Sequence, residues 1–233
     1  MSQAHKSLKL LHEKIVSCRQ CPRLVAYREA VAQDKRAAYR DCDYWGKPIP
    51  GFGDPHAGLL IIGLAPAAHG GNRTGRMFTG DRSGTFLMRA LHVAGFANQP
   101  DSINRDDELI LKSAYIIAIL RCAPPANKPL PEEIIKCRQF LLSEIALLKD
   151  VRAVLVLGKI AMDGYLAALA SIGHKKPRLA FAHGAEYELP DGLPCLFVSY
   201  HPSQQNTQTR KLTPEMLSSV CHRIRHYLDS TKR

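Results

Sequence analysis

No stretch of the sequence is apolar enough to cross a membrane. The longest apolar run, residues 58–68, is interrupted by Gly63 and Pro66, and it falls short of the roughly 18 continuous apolar residues that a spanning helix needs. The N-terminal residues MSQAHKSLKLLHEK carry charges where a secretory signal peptide would need an apolar segment. We therefore expect a soluble protein of the cytoplasm that has no membrane partner.

Internal repeats, low-complexity tracts and linkers are also missing. The chain has 233 residues, of which 45% are hydrophobic and 23% charged, and this globular composition excludes a disordered, collagen-like or coiled-coil protein. The length suits one large domain or two small ones. We predict that residues 1–233 form a single domain, and we expect it to act as a monomer.

Acidic residues are scarce relative to basic ones. The chain has 21 Asp and Glu against 32 Lys and Arg, which gives a formal net charge of +11. Such a surplus predicts attraction to polyanions, of which nucleic acid is the commonest and an anionic membrane surface the second. The basic residues are spread along the chain rather than gathered in one tail. This spread excludes a disordered basic arm.

The seven cysteines are an odd number, and an intracellular setting keeps thiols reduced, so a disulfide framework is not expected. Cys18 and Cys21 form the short loop CRQCP, while Cys122 follows a strand-like segment and Cys137 lies in a helical pattern. One close pair and two separated thiolates suffice for a four-thiolate site, which would hold either zinc or a 4Fe-4S cluster. The pattern assigns no role to the other three thiols, Cys42, Cys195 and Cys221.

Apolar periodicity predicts four buried strands that alternate with helices. The strands are predicted at residues 58–64, 114–120, 151–157 and 193–199, and the helices at residues 7–16, 23–39, 83–94, 131–148, 159–170 and 214–228. Residues 175–189 are predicted to be irregular, with room for one short edge strand. This order predicts an α/β fold with a parallel sheet that helices cover on both faces. Ligands of such sheets bind beyond the carboxyl ends of the strands.

The loop after the first strand, GLAPAAHGGNRTGRMFTGD, ends at Asp81. It matches neither GxGxxG nor GxxxxGK[ST], so the known nucleotide-cofactor motifs are absent. Its many glycines let the backbone approach a ligand and present N–H groups. Asp81 stands where the next helix starts, and its carboxylate could cap that helix, as Ser83 also could, orient a water molecule, or do both.

Two further loops carry candidate functional side chains. The loop RCAPPANKP offers Asn127, whose amide suits either a turn or the reading of a base edge. The loop YHPSQQNTQTRKLTP begins with His201 directly after a buried strand, which is either a packing residue or a catalytic one. Arg210 and Lys211 follow in the same loop, and we expect them to contact DNA phosphates.

Together the three loops resemble the motifs of the uracil-DNA glycosylase superfamily, and specifically its family 5, the B-type enzymes of bacteria and archaea. The cysteines at positions 18, 21, 122 and 137 resemble the cluster ligands of families 4 and 5. The resemblance implies a three-layer αβα sandwich around a central four-stranded parallel sheet. It also implies a structural 4Fe-4S cluster, bound partly by an N-terminal helical segment, and the excision of deaminated bases from DNA.

The resemblance also implies residue roles. Asp81 matches the acid proposed to act at the end of the first motif, Asn127 the Asn of the second motif, and His201 the His of the third. Phe78 matches the aromatic residue that stacks on the flipped base. Backbone N–H groups near Gly63 and Ala65 would bind that base.

The sequence departs from the family 4 pattern at the exit of the first strand. Leu64 stands where family 4 carries a Glu, apolar Ala65 and Ala67 follow, and the strand before Cys122 lacks the Asn with which family 4 reads uracil. Small apolar side chains impose few hydrogen-bond demands on a base. We therefore expect hypoxanthine to be released from DNA as well as uracil.

A second function class uses the same charge and cysteines. A non-catalytic iron-sulfur protein that binds DNA or senses redox state would need a basic surface and a cluster. Such a protein would not explain three polar motifs at three strand ends. The sequence therefore favours the glycosylase.

Overall fold

The computed structural model describes residues 3–231 of the chain. Its strands are β1 (Phe52–Gly53), β2 (Leu59–Gly63), β3 (Ala114–Ala118), β4 (Ala153–Leu157), β5 (Glu186–Tyr187) and β6 (Cys195–Ser199). Its α-helices are α1 (Gln3–Val16), α2 (Pro22–Asp34), α3 (Gly71–Thr74), α4 (Arg82–Val93), α5 (Pro131–Leu147), α6 (Lys159–Ala170), α7 (Gln204–Gln208) and α8 (Pro214–Ser230). No helix within residues 3–231 combines the length and apolarity that crossing a membrane requires.

The sheet has six strands in the order β1-β3-β2-β4-β6-β5. The four central strands are parallel, and Ile61 of β2 pairs with Ile116 of β3 and with Leu155 of β4. The prediction of four parallel strands is confirmed. The edges differ, because β1 and β5 add antiparallel strands of two residues each. Strands this short leave no alternating apolar pattern to detect.

Helices cover both faces of the sheet, so the three-layer αβα sandwich is confirmed. Side chains of a strand alternate between its two faces, and β2 accordingly divides its residues between two cores. Leu59 and Ile61 pack with α4 and α8 on one face, while Leu60 and Ile62 pack with α1, α5 and α6 on the other. Burial on both faces explains why all four central strands are continuous apolar runs.

The helix predicted at residues 23–39 is shorter in the structure. Helix α2 ends at Asp34, where Lys35 takes a left-handed φ of 42°, a conformation that cannot continue a right-handed helix. A separate 3₁₀ turn follows over Ala37–Tyr39. The prediction of one continuous helix was therefore wrong at its C-terminal end.

Candidate active site and cysteine pocket

The loops after β2 and β6 meet above the carboxyl edge of the sheet. The ring of Phe78 lies 5.9 Å from the ring of His201, centroid to centroid, with the planes tilted by 33°. These residues come from strands that are separated by β4 in the sheet. The loop after β4 approaches His201 closely at Gly158, which has a φ of 94° and where a Cβ would lie 3.3 Å from the His201 Cβ.

Phe78 has a strained backbone conformation, and two glycines leave room for its ring and its carbonyl group. Its φ of 49° lies in the left-handed region, which an L-residue with a large side chain rarely adopts. A Cβ at Gly63 would lie 2.9 Å from Cε2 of the Phe78 ring, and a Cβ at Gly84 would overlap the Phe78 carbonyl oxygen. Local strain of this kind persists where surrounding packing enforces it, and it occurs often at functional sites.

Asp81 caps helix α4. Its Oδ1 accepts a hydrogen bond of 2.8 Å from the Gly84 N–H, so Asp81 rather than Ser83 is the N-cap. Its Oδ2 lies over Gly70, where any Cβ would overlap it. Burial raises the pKa of Asp81 above its usual value, and the N–H groups of Gly84 and Ser83 and the Arg73 guanidinium oppose that rise.

His201 is neutral over most of the physiological pH range. Burial lowers its pKa from 6.5 to about 4, because the enclosed ring cannot be solvated as a cation. Its carbonyl oxygen accepts hydrogen bonds from the Asn206 Nδ2 at 2.8 Å and from the Ser203 N–H at 2.7 Å. These two bonds fix the turn that aims the imidazole back over the sheet.

A buried ion pair supports the loop that carries Phe78 and Asp81. The Arg76 guanidinium donates to both carboxylate oxygens of Asp107 at 2.7 and 2.8 Å, and its Nε donates to the Thr79 hydroxyl at 2.9 Å. The Ser102 carbonyl accepts from the Gly80 N–H at 2.8 Å. Arg76, Thr79 and Gly80 belong to the first motif, but Ser102 and Asp107 lie outside all three motif loops, so the sequence does not indicate this support.

Asn127 lies apart from this group. It is exposed and ends a single 3₁₀ turn over Pro125–Asn127, with a left-handed φ of 55°. Among the described residues, its side chain contacts neither Phe78 nor His201 by a ring contact or a hydrogen bond. The adjacent Lys128 carbonyl accepts from Arg23 of helix α2 at 3.1 Å.

The remaining predicted site residues lie around the same edge. Ala65 is half-buried just beyond β2. Arg210 and Lys211 are both exposed, and the Lys211 ammonium lies 4.9 Å from the centroid of the Tyr200 ring. A cavity of about 890 Å³ opens beside Asp81, with Arg73, Arg82 and Arg89 in its wall.

The cysteines at positions 18, 21, 122 and 137 line a single pocket. Burial raises the pKa of Cys122 to about 11 and that of Cys137 to about 12, so both would stay protonated at neutral pH without a metal to bind them. Within residues 3–231, no group of three or more His, Cys, Asp or Glu side chains is arranged to hold a single metal ion.

Two buried arginines line the same pocket. The Nη1 of Arg28 donates to the Cys122 sulfur at 2.8 Å, and Arg121 forms an ion pair with Glu144. The Nε of Arg28 and both the Nε and Nη1 of Arg121 are buried without a partner among the described residues. Buried polar groups are normally hydrogen-bonded, so these nitrogens have donor capacity that a group with hydrogen-bond acceptors in the pocket would satisfy.

A family model covers the part of the chain that holds all three loops. The model, described as the uracil DNA glycosylase superfamily, matches residues 50–225. This range includes Cys122 and Cys137 but begins after Cys18 and Cys21. It spans every central strand of the sheet and the loops that follow them.

Individual relatives agree with this match. The chain is 51% identical over 208 residues to a type-5 uracil-DNA glycosylase of Thermus thermophilus, covering 89% of this chain and 92% of the relative. It is 50% identical to one of Mycobacterium tuberculosis, covering 90% and 78%, and 43% identical to one of Pyrobaculum aerophilum, covering 90% and 88%. The chain therefore belongs to the uracil DNA glycosylase superfamily, and within it to the type-5 family.

Proposed function

We propose that the protein excises uracil from DNA by hydrolysing the N-glycosidic bond, which leaves an abasic site. Family membership and the names of the relatives support this activity. The observation that carries it in this chain is the contact between Phe78 and His201, with Asp81 three residues further on. An aromatic surface, a neutral imidazole and a carboxylate at one edge are the groups that glycosidic hydrolysis of an extruded base requires.

Asp81 acts on the sugar side of the bond. Hydrolysis passes through an oxocarbenium-like sugar, which a carboxylate stabilises and which a positioned water then attacks. The Oδ1 of Asp81 is engaged in the helix cap, so Oδ2 is the oxygen that would orient this water. Oδ2 occupies the position that a Cβ at residue 70 would take, so this placement of the carboxylate needs a glycine there.

His201 and Phe78 act on the base side. The departing base gains negative charge, and a neutral His201 would donate a hydrogen bond to it without first losing a proton. Phe78 would stack on the base, and backbone N–H groups near Gly63 and Ala65 would bind its polar edge. Asn127, which is exposed, would form hydrogen bonds with the base once the DNA is bound.

The nucleotide must leave the duplex before the bond becomes accessible. Arg210 and Lys211, exposed beside the loop that carries His201, would contact the phosphates that flank the extruded nucleotide. Phosphate contacts position the protein without reading sequence. The chain would act as a single domain and as a monomer, which light scattering on the purified protein tests directly.

The pocket should accept hypoxanthine as well as uracil. Leu64, Ala65 and Ala67 at the strand exit are half-buried and apolar, so they present no hydrogen-bonding group that a purine would leave unpaired. A site discriminates strongly only where a buried polar group loses its partner. Adenine and cytosine would be spared because they stay paired and stacked.

The cysteine pocket would hold a 4Fe-4S cluster. Cys18, Cys21, Cys122 and Cys137 supply four thiolates, and the unpartnered arginine nitrogens beside them fit a group that carries negative charge. When bound, such a cluster would link the N-terminal helices to the loop after β3. Its role would be structural, and it would not react with the base. Purified protein should be brown and contain iron and sulfide. Stoichiometric zinc without iron in protein made under anaerobic, iron-replete conditions would contradict the cluster.

The activity is tested with matched duplex oligonucleotides that carry one uracil or one hypoxanthine, under single-turnover conditions with alkaline cleavage of abasic sites. We expect product from both and none from adenine or cytosine. Activity confined to uracil would contradict the proposed acceptance of hypoxanthine, but it would not contradict uracil excision. No product from any base, at concentrations where the protein binds the duplex, would instead favour a non-catalytic iron-sulfur DNA-binding protein.

A further inference from the structure

Arg28 is a buried cation whose own surroundings do not neutralise it. Its side chain is 2% exposed, and its nearest carboxylate oxygen, from Glu29, is 3.8 Å away. Glu29 lies at the surface and forms a two-bonded pair with Arg19 at 2.5 and 3.0 Å. A buried charge is stabilised poorly by one distant carboxylate that is itself exposed and paired elsewhere, so a further anionic partner would stabilise Arg28.

The donors of Arg28 point to where that partner lies. Nη1 donates to the Cys122 sulfur at 2.8 Å and Nη2 donates to the Cys18 carbonyl at 3.3 Å, while Nε has no partner among the described residues. The guanidinium therefore contacts two of the four cysteine residues that line the pocket. Its Nε–H is without a partner and would be available to the group that those thiols would bind.

Arg121 on the other side of the pocket is different. It is paired with Glu144, which is fully buried and also accepts from the Gly51 N–H at 2.9 Å. Its charge is therefore balanced by protein. Arg28, by contrast, has only the exposed Glu29 carboxylate at 3.8 Å among the described residues.

We propose that Arg28 is the charge partner of the four-cysteine cluster and controls how firmly the cluster is held. This inference rests on the proposed cluster. A cluster with four thiolate ligands is anionic, and a buried guanidinium that donates to a ligand sulfur stabilises it electrostatically and orients that ligand. Arg28 is thus a positioning residue for the cofactor and takes no part in excision.

The backbone of Arg28 also connects the pocket to the loop after β2. The Arg28 carbonyl accepts a hydrogen bond of 3.2 Å from the buried side-chain amide of Asn72. Asn72 lies in helix α3, within the same loop that carries Phe78 and Asp81. Arg28 would therefore contact the cluster with its side chain, while its backbone carbonyl holds the loop that carries Phe78 and Asp81.

The test compares Arg28→Met and Arg28→Lys with Arg23→Met, each as cluster-containing protein. Arg23 lies on the same helix and pairs with Glu133 at 2.8 Å, but it is partly exposed, so it controls for loss of a nearby arginine. The measurements are the rate at which visible absorption is lost in air with an iron chelator, the iron and sulfide content, and the reduction potential. Outer-shell partners of metal sites typically change affinity by about 10- to 100-fold.

We expect Arg28→Met to lose its cluster about tenfold faster or more and to have a lower reduction potential, because removing a nearby cation disfavours adding an electron. Arg28→Lys should lie between Arg28→Met and wild type, and Arg23→Met should match wild type. If Arg28→Met does not accumulate, Arg28→Lys against Arg23→Lys decides the question by the same rates.

Equal rates of cluster loss and equal reduction potentials for the Arg28 variants and their Arg23 controls would overturn this inference. The proposal that the pocket holds a cluster would be unaffected. Wild-type protein without iron and sulfide would instead overturn the cluster proposal and the inference with it. Faster loss with an unchanged potential in both Arg28 variants would show that Arg28 acts by packing alone, which also contradicts its role as charge partner.

Discussion

At the scale of single residues, two glycines make room for the aromatic rings of the candidate active site. Gly63 admits the ring of Phe78, and Gly158 admits His201. A methyl group at position 63 would lie 2.9 Å from the Phe78 ring, which has little room to move because Phe78 is only 7% exposed. A methyl group at position 158 would lie 3.3 Å from the His201 Cβ, and the left-handed φ of that residue also favours glycine.

Asp81→Asn should separate the two roles of this side chain. Asn caps helices about as well as Asp, so the free energy of unfolding should change little. Loss of the carboxylate should slow single-turnover excision of uracil on the order of 10²-fold, the scale of acid-base catalysis, while affinity for damaged DNA is kept. The measurement is the excision rate at saturating enzyme.

Thr213→Ala is the matched control for Asp81→Asn. It removes the side-chain cap that the Met216 N–H uses at the start of helix α8, and it should cost about 1 kcal/mol of stability without slowing excision. If Asp81→Asn excises at the wild-type rate, then Asp81 is a helix cap only.

His201 should make the free energy of unfolding depend on pH in the acid range. Its pKa is about 4 in the folded protein against 6.5 when unperturbed, so between these values the unfolded chain binds a proton that the folded one does not. Stability from this group is therefore lost as the pH falls from about 6.5 to about 4. Thermal unfolding of wild type and His201→Gln across pH 4 to 7 measures it. Parallel pH profiles for the two proteins would show that the imidazole is not enclosed.

At the scale of elements, the loop after β2 depends on a segment that is distant in sequence. Residues 102–107 lie against Gly80 and Thr79 and are fixed there by the Arg76–Asp107 pair. Burial alone would raise the pKa of Asp107, but hydrogen bonds from Arg76 and from the N–H groups of Ile103 and Leu109 lower it below the usual value. The segment thus supports the loop that carries Phe78 and Asp81.

Asp107→Asn should loosen that support. Breaking a buried pair by neutralising one partner costs about 3 kcal/mol or more, measured here as the free energy of unfolding in urea. Excision should slow as well, since Phe78 and Asp81 lose their brace. The control is Asp163→Asn, which breaks an exposed pair with Lys159 and should cost less than about 1 kcal/mol. Equal effects of the two substitutions would contradict the supporting role.

At the scale of the whole molecule, a net charge of +11 attracts DNA but does not say which residues touch it. Arg210 and Lys211 lie at the carboxyl edge of the sheet, beside the loop that carries His201. Lys175 and Lys176 lie in the segment that follows helix α6, and both are exposed. The two pairs carry the same charge in different segments of the chain.

Replacing Arg210 and Lys211 by Ala should therefore weaken DNA binding and make its dependence on salt shallower by about 0.9 in the log–log slope for each lost phosphate contact. Replacing Lys175 and Lys176 should leave the slope near that of wild type. The measurement is the dissociation constant for one duplex across a series of salt concentrations. Equal slopes for the two double variants would show that Arg210 and Lys211 do not contact phosphate.

The sequence by itself determined the central strands, most helices, the loops that follow the strands and the four cysteines of the pocket. These features are local, because burial on both faces makes a strand a continuous apolar run and a motif is contiguous in the chain. The sequence also left choices open that depend on distant residues. Whether Asp81 or Ser83 caps helix α4 was one of these.

Only the tertiary structure decided which groups meet. Phe78 and His201 follow strands that are separated by β4 in the sheet, yet their rings lie 5.9 Å apart, and no pattern within the chain marks them as neighbours. Arg28 appears in sequence as one more basic residue of a helix, and its significance comes from being buried against Cys122, 94 positions away. The edge strand β1 escaped prediction for the same reason, since pairing with a long neighbour stabilises it rather than any periodicity of its own. Strand β5 falls in the stretch where the sequence left room for one short edge strand.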